Sequence, residues 1–147
     1  MANKKRLGGE CFTYRNTGTF ASPVWNEITN IEDNSLPLSK GQGEFKSRGS
    51  KYVLKKGGKI ESGVEFKYVY DPGDDDWVAL RDSFFNGTAI EMAIMDGPIA
   101  TTGNQGLRAS MEVMEIPRDE PLEEGVSVAV VCALTISDNE PAWTTTA

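Results

Sequence analysis

The sequence predicts an α+β protein with about six or seven antiparallel strands, in a sandwich or partly open barrel with one flanking helix. Two patterns predict this class. Several short segments alternate apolar with polar residues and are separated by turn-forming residues, which is typical of half-buried strands. A single segment, residues 71–88, instead has helical periodicity with capping residues at both ends.

The strand prediction is strongest where one face of a segment is continuously apolar. The predicted strands are 10–15, 24–31, 60–70, 88–95, 107–116 and 126–136, with a weaker extended piece at 32–39. Two of these segments each carry a long row of mostly apolar side chains on one face, which we expect to point into the core. These rows are Ile60, Val64, Phe66, Tyr68 and Tyr70, and then Val126, Val128, Val130, Cys132, Leu134 and Ile136.

The helix is predicted from its ends as much as from its apolar stripe. Asp74 or Asp75 can cap the N-terminus, and Gly87 can adopt the left-handed conformation that ends a helix. We expect an inward stripe, extended by two further apolar residues. The stripe is Trp77, Leu80 and Phe84, and the extension is Val78 and Phe85.

The aspartates at 74–76 raise the question of a calcium site. An EF-hand loop places its ligands at alternate positions before a glycine and a glutamate at the twelfth position, and this stretch has neither. Acidic residues also favour the positive N-terminal end of a helix dipole. We therefore expect helix capping here, and no metal or other cofactor.

Composition excludes several kinds of enzyme. The chain contains no histidine, which removes histidine-based triads, histidine zinc sites and the commonest general base at neutral pH. It has no Gly-rich phosphate loop. Cys11 and Cys132 are too far apart for a CxxC motif, and we expect buried free thiols. Without a signal peptide or an apolar span, residues 1–147 are expected to form one soluble domain.

Charge is distributed unevenly along the chain. The net charge is −7, yet residues 40–59 hold seven of the fifteen basic residues and only one acid, Glu44. Their five glycines and weak periodicity predict a long, flexible basic loop, and loops of this length usually have a function. The rest of the chain is therefore strongly acidic, so that the loop needs an acidic counterpart.

An acidic counterpart is present in "RDEPLEEG", residues 118–125, which precedes the last long strand. Three interpretations stay open for this corner: a solvated turn bent at Pro121, a catalytic or metal-binding carboxylate cluster, and a docking surface. The catalytic interpretation is the weakest because the sequence offers neither a nucleophile nor an apolar pocket beside these acids. The positive charge of residues 40–59 favours the docking surface.

Three stretches in order resemble phage major tail proteins, the tail tube proteins of long-tailed phages, which also occur as prophage-derived bacterial copies. They are "YRNTGTFASPVWNEITNI", "DPGDDDWVALRDSFFNGTAIEMAIMDG" and "GLRASMEVMEIPRDEPLEEGVSVAVVCALTIS". The resemblance implies a β-sandwich-like subunit that assembles into hexameric rings, which stack into a tube for passing DNA. It also implies a virion tail location after synthesis in the bacterial cytoplasm, and partners such as the tape measure and tail terminator proteins.

In that family a long loop between early strands mediates contacts between rings, and residues 40–59 match it by position and glycine content. We therefore expect contacts between subunits through this loop and the acidic corner. The expected contact residues are Phe45, Lys46, Arg48, Lys51, Tyr52, Lys55 and Lys56, together with Asp119, Glu120, Glu123 and Glu124. An acidic body also suits a DNA conduit, because a basic lumen would bind phosphates and stall the DNA.

Two other functions compete with the structural one. A monomeric carbohydrate-binding module would use exposed aromatic rings as stacking platforms, and the candidates are Trp25, Tyr52 and Trp143. A carboxylate-based hydrolase is the second alternative, although the missing histidine and the absence of catalytic motifs count against it. The long basic loop in turn counts against a self-contained binding module.

Overall fold

The computed structural model describes residues 5–147, and within them one α-helix accompanies ten strands. A short 3-10 turn, Gly8–Glu10, precedes them. The strands are β1 (Phe12–Asn16), β2 (Trp25–Glu27), β3 (Ile31–Ser35), β4 (Leu38–Phe45), β5 (Leu54–Val69), β6 (Ile90–Met95), β7 (Gln105–Glu115), β8 (Arg118–Asp119), β9 (Ser127–Leu134) and β10 (Ala142–Thr145), and the helix, α1 (Asp75–Asn86), lies between β5 and β6.

All strand pairs are antiparallel, and the main path through the sheet is β2-β1-β6-β7-β9-β5-β3. Three further strands pair at its margins: β10 with β7, β4 with β5, and β8 with β9. The predicted α+β class, an open antiparallel sheet with one helix, is confirmed. The alternation of apolar and polar residues predicted most of this sheet because half-buried strands need it.

The core lies between the inward faces of the central strands and the helix. Val64, Phe66 and Tyr68 on β5 stand opposite Cys132, Val130 and Val128 on β9, and all six are buried. The predicted inward rows are therefore right in the middle of each strand. They are wrong at their outer ends, where Ile60 is 58% exposed and Ile136 is 97% exposed, because at those positions the chain has left the body of the sheet.

The helix begins and ends where the sequence predicted. The side chain of Asp74 accepts a hydrogen bond from the Asp76 amide at 3.3 Å, and Gly87 ends the helix with a φ of 69°. Trp77 and Leu80 are buried as expected.

The prediction of an inward Phe84 and Phe85 is wrong, since their side chains are 38% and 72% exposed. Ser83 is the fully buried residue of that turn. Its hydroxyl donates to the Thr88 carbonyl at 2.6 Å and accepts from the Val113 amide at 3.1 Å. A polar side chain is stable there because both of its hydrogen-bonding roles are filled.

Sulfur-containing side chains follow the strand pattern with two exceptions. Met92, Met95 and Met111 fill the core as predicted, whereas Met114 is 45% exposed. Both cysteines are free; Cys132 is buried, but Cys11 is exposed, which corrects the expectation that both thiols are buried. Within residues 5–147, no helix has the length and apolar character needed to cross a membrane.

Candidate assembly surfaces

Residues 40–59 do not form a flexible loop, which corrects the prediction. They form most of a β-hairpin in which β4 pairs with the first half of β5, from Leu38 opposite Ser62 to Phe45 opposite Leu54. Every residue from 37 to 61 is exposed. We call residues 38–61 the arm, and residues 45–54 at its end the tip.

Glycine misled the sequence prediction because it signals flexibility in a single chain segment. In the structure, Gly58 lies so close to its neighbour that an added Cβ would be 3.3 Å from the Gly41 carbonyl oxygen. The register shifts there, between Lys40 and Gln42, where β5 contains one residue more than β4. Such a bulge bends a hairpin and switches the face on which side chains lie. Glycine here permits close strand pairing.

The tip combines exposed apolar side chains with positive charge. Phe45, Tyr52, Val53 and Leu54 are 53–76% exposed, and Phe45 and Leu54 form a cross-strand pair. Lys46, Arg48 and Lys51 lie in the turn between the strands, and Lys55 and Lys56 follow on β5. Glu44 is the one acid of residues 40–59, and its carboxylate lies 3.6 Å from the Lys46 ammonium and 3.9 Å from the Lys55 ammonium. Such an exposed mixture is typical of surfaces that bind another protein.

The acidic corner, residues 118–125, consists of β8 and the turn that leads from it toward β9, and all of its residues are exposed. Arg118 contacts Glu120 at 2.7 Å and stacks over the Tyr70 ring at 5.5 Å. The remaining acids of the corner are solvated, and Leu122 is 99% exposed. Asp119 lines an open cavity of about 350 Å³ beside β9, but the acids of the corner are all exposed to solvent. This exposure does not favour a catalytic role, because a catalytic acid is usually enclosed in an apolar pocket.

The structure does not bring the predicted contact residues of the tip and the corner together within one chain. Asp119 stands opposite Ser127, which stands opposite Val69 at the last residue of β5, whereas the tip lies at the first residue of β5. A straight strand of this length, 16 residues, spans about 50 Å, and the bulge in β5 makes this an upper value. The two charged surfaces therefore lie at opposite ends of β5, and the structure shows no contact between them within one chain.

At the acidic end, Arg118 is paired with Glu120, and Lys67 contributes a further positive charge near Glu124. A hydrogen bond to Glu32, at 3.2 Å, is the main cause that raises the pKa of Lys67, and the charge of Glu124 adds to the effect. Lys67 thus forms its salt bridge with Glu32 and does not pair with the acids of the corner, so the corner keeps most of its negative charge.

The aspartates at the start of the helix have structural partners. Asp74 accepts hydrogen bonds from the Tyr68 hydroxyl at 2.6 Å and from Asn30 at 3.2 Å, and Asp76 pairs with Arg15 at 2.9 Å. Burial raises the pKa of Asp76, although the Arg15 guanidinium opposes this. Among the described residues, no group of three or more acidic or cysteine side chains is arranged to hold a metal ion.

The three candidate stacking platforms lie at three separate places. Trp25 lines a cavity of about 350 Å³ beside Arg108. Trp143, whose indole donates to Gln105 at 2.8 Å, lines a groove of about 830 Å³ at the base of the arm. Tyr52 lies at the tip. A sugar-binding site requires aromatic rings that converge on one ligand, and these rings do not converge.

Comparison of the fold with solved structures gives consistent neighbours. The SPP1 tail tube protein aligns with a TM-score of 0.76 at 11% identity, covering 96% of this chain and 80% of that chain. A chain from the C6-symmetric tail of an empty gene transfer agent particle aligns with a TM-score of 0.73 at 15% identity, covering 97% and 100%. The chain has the tail-tube fold. No family model and no curated protein sequence matches it.

The tail-tube fold also occurs outside phage tails. A chain from the sheath/tube terminator of an extracellular contractile injection system, PVC, has a TM-score of 0.69 at 9% identity, covering 99% of this chain and 100% of that chain. The TM-scores establish a shared architecture. Because the sequence identities are low, the role of each surface residue must be argued from this chain alone.

Proposed function

We propose that this protein is a structural, non-enzymatic subunit of a tail tube, and that it assembles into hexameric rings that stack head to tail. The observation that carries the proposal is the opposite placement of two complementary charged surfaces on a tail-tube fold. A subunit with a basic tip at one end and an acidic corner at the other presents different surfaces on its two sides. Such a heterologous contact repeats without closing and so generates a filament.

The ring number and the remaining partners rest on the fold neighbours. One neighbour belongs to a C6-symmetric tail and another to a tube terminator. By analogy, this chain would form sixfold rings in a virion tail, meet a terminator and a tape measure protein at the tube's limits, and let DNA pass as cargo. The negative net charge supports a lumen that does not hold DNA, since −7 per subunit repels phosphates.

Electron microscopy of the purified protein tests self-assembly directly. Rings or tubes of uniform diameter are expected at low and moderate salt. A protein that remains monomeric across concentration and salt would refute the proposal. In that case sugar-array binding would be the next measurement.

Removal of the tip tests whether the arm stacks rings. Deletion of residues 44–55 joins Gly43 to Lys56 as a two-residue turn between the paired Gln42 and Gly57, and a glycine in first position suits a type II′ hairpin turn. The core is untouched, so the shortened subunit should fold. Loss of tubes with a folded subunit supports the role of the arm, whereas tubes formed at the wild-type rate would exclude it.

Charge reversal tests the electrostatic part of the contact. Lys46→Glu with Lys51→Glu changes the tip, and Lys40→Glu with Lys59→Glu makes the same change in net charge at the base of the arm. Stacking should slow only in the tip variant, and at about 1 M salt, where screening acts beyond roughly 3 Å, wild type and variant should converge. Adding Glu123→Lys and Glu124→Lys should partly restore the rate if the acidic corner is the partner.

A further inference from the structure

The C-terminal turn of α1 carries an exposed apolar patch that the subunit itself does not cover. Phe84 and Phe85 pack edge to face, with their centroids 5.0 Å apart, and are 38% and 72% exposed. The Val113 amide donates a hydrogen bond to the Ser83 hydroxyl, so β7 runs beside this turn. We call Phe84 and Phe85 the helix patch.

The surroundings of the helix patch are negative. The last turn of α1 contains no basic residue, although the carbonyl end of a helix carries a partial negative charge. The carboxylate of Glu112 lies against Gly87, since an added Cβ there would be 3.1 Å from its oxygen. Glu115 follows Met114 and is exposed. The nearest cation on the helix, Arg81, contacts Asp82 at 3.4 Å. The helix itself therefore supplies no basic side chain to its C-terminal turn.

The tip of the arm has the opposite character in both respects. Its exposed pair, Phe45 and Leu54, matches the helix patch in apolar surface, and the neighbouring Lys46, Lys55 and Lys56 supply positive charge. Apolar surface surrounded by opposite charges on two surfaces is the usual composition of a specific protein contact. The helix patch also continues into the acidic strip, because residues 112–124 hold six acids and one arginine.

The two surfaces cannot meet within one subunit. Val113 stands opposite Cys132, which stands opposite Val64, ten residues along β5 from Leu54. Ten residues of strand span about 33 Å. An arm tip that occupies the helix patch must therefore belong to a second copy of this chain.

We propose that the arm tip of one subunit docks on the helix patch of another, with Phe45 and Leu54 packed against Phe84 and Phe85. The inference rests on the proposed tube assembly and names the receiving surface within it. The acidic strip guides the basic tip, and the helix patch supplies the buried apolar contact. This differs from a purely electrostatic contact at the acidic corner, which has a single apolar side chain, Leu122, in its turn.

Cysteine cross-linking distinguishes the two docking sites. Both preparations carry Cys11→Ser to remove the exposed thiol, and the remaining native thiol, Cys132, is buried. Chains with Leu54→Cys are mixed with chains with Phe85→Cys, assembled and oxidised. A disulfide requires Cα atoms within about 7 Å, so a cross-linked dimer on a denaturing gel reports direct docking. The matched control mixes Leu54→Cys with Leu122→Cys, whose cysteine is exposed in the acidic corner.

Assembly measurements supply an independent readout. Phe85→Ala should raise the critical concentration for tube formation about tenfold, the effect of losing one buried aromatic contact. Ile136→Ala removes an apolar side chain that is 97% exposed elsewhere on the surface and should leave assembly unchanged. Circular dichroism melts of the two variants should match wild type, because neither residue lies in the core.

The outcomes separate this inference from the proposed function. Cross-linking at position 85 together with a defect in Phe85→Ala supports the helix patch. Tubes that form normally from Phe85→Ala, or cross-linking at position 122 in place of 85, overturn the helix patch and leave the tube assembly intact. Wild-type protein that forms neither rings nor tubes overturns both.

Discussion

Replacing Trp77 with alanine should be among the most damaging single changes to this fold. The Trp77 ring is 9% exposed, stacks on Tyr68 with centroids 5.7 Å apart, and meets the edge of Tyr70 at 5.2 Å. Burying roughly 200 Å² of aromatic surface at about 25 cal/mol per Å² gives about 5 kcal/mol as an upper value. Measured losses for such truncations are about 3–5 kcal/mol, which we expect here.

The assay is urea unfolding, with the loss taken from the shift in midpoint at constant slope. Phe85→Ala is the matched control on the same helix. Its side chain is 72% exposed, so the loss in free energy of unfolding should stay within about 0.5 kcal/mol. Equal losses for the two variants, or a Trp77→Ala loss below about 0.5 kcal/mol, would contradict the burial of one helix face and exposure of the other. The control also shows that assembly defects of Phe85 variants arise at an interface.

Three further predictions concern buried polar groups. Arg15→Ala should cost about 3 kcal/mol of stability because it leaves the buried Asp76 carboxylate without its partner, measurable by the same unfolding assay. Burial raises the pKa of Asp76, so protonation of this group stabilises the folded state. That contribution is fully present below the ordinary carboxyl pKa of 3.8 and is lost as the pH rises through the raised pKa. The stability of wild type relative to Asp76→Asn should therefore increase as the pH falls toward 3.8, and a decrease would contradict this. Burial also raises the pKa of Cys132 to about 12, so a thiol reagent at pH 8 should modify Cys11 rapidly and Cys132 only after unfolding; rapid reaction of both thiols in the folded protein would show that Cys132 is accessible.

The helix illustrates how far the sequence alone reaches. Its limits follow from local chemistry, an aspartate that caps the first turn and a glycine that adopts a positive φ after the last, and both were predictable. Its buried face was not fully predictable. Hydrophobicity favoured Phe84, but the structure buries Ser83 and Asp76. Their hydrogen bonds come from Thr88, just after the helix, and from Val113 and Arg15 in distant parts of the chain.

The arm illustrates the opposite limit. Its glycines and lysines indicate flexibility when the segment is considered alone, and no local pattern predicts that residues 38–45 pair with residues 54–62. Cross-strand pairing is a property of two segments together. The charge imbalance of this region was predictable; its pairing as a hairpin and its separation from the acidic corner along β5 were not.

The α+β class, the central strands, the limits of the helix and the charge asymmetry follow from the amino-acid sequence, because each depends on short-range periodicity, capping or composition. Three other features depend on the folded structure: the pairing of the arm, the burial of Ser83 with the exposure of Phe85, and the separation of the basic tip from the acidic corner along β5. These depend on which distant residues become neighbours, since a side chain is buried or exposed only relative to the surface packed against it.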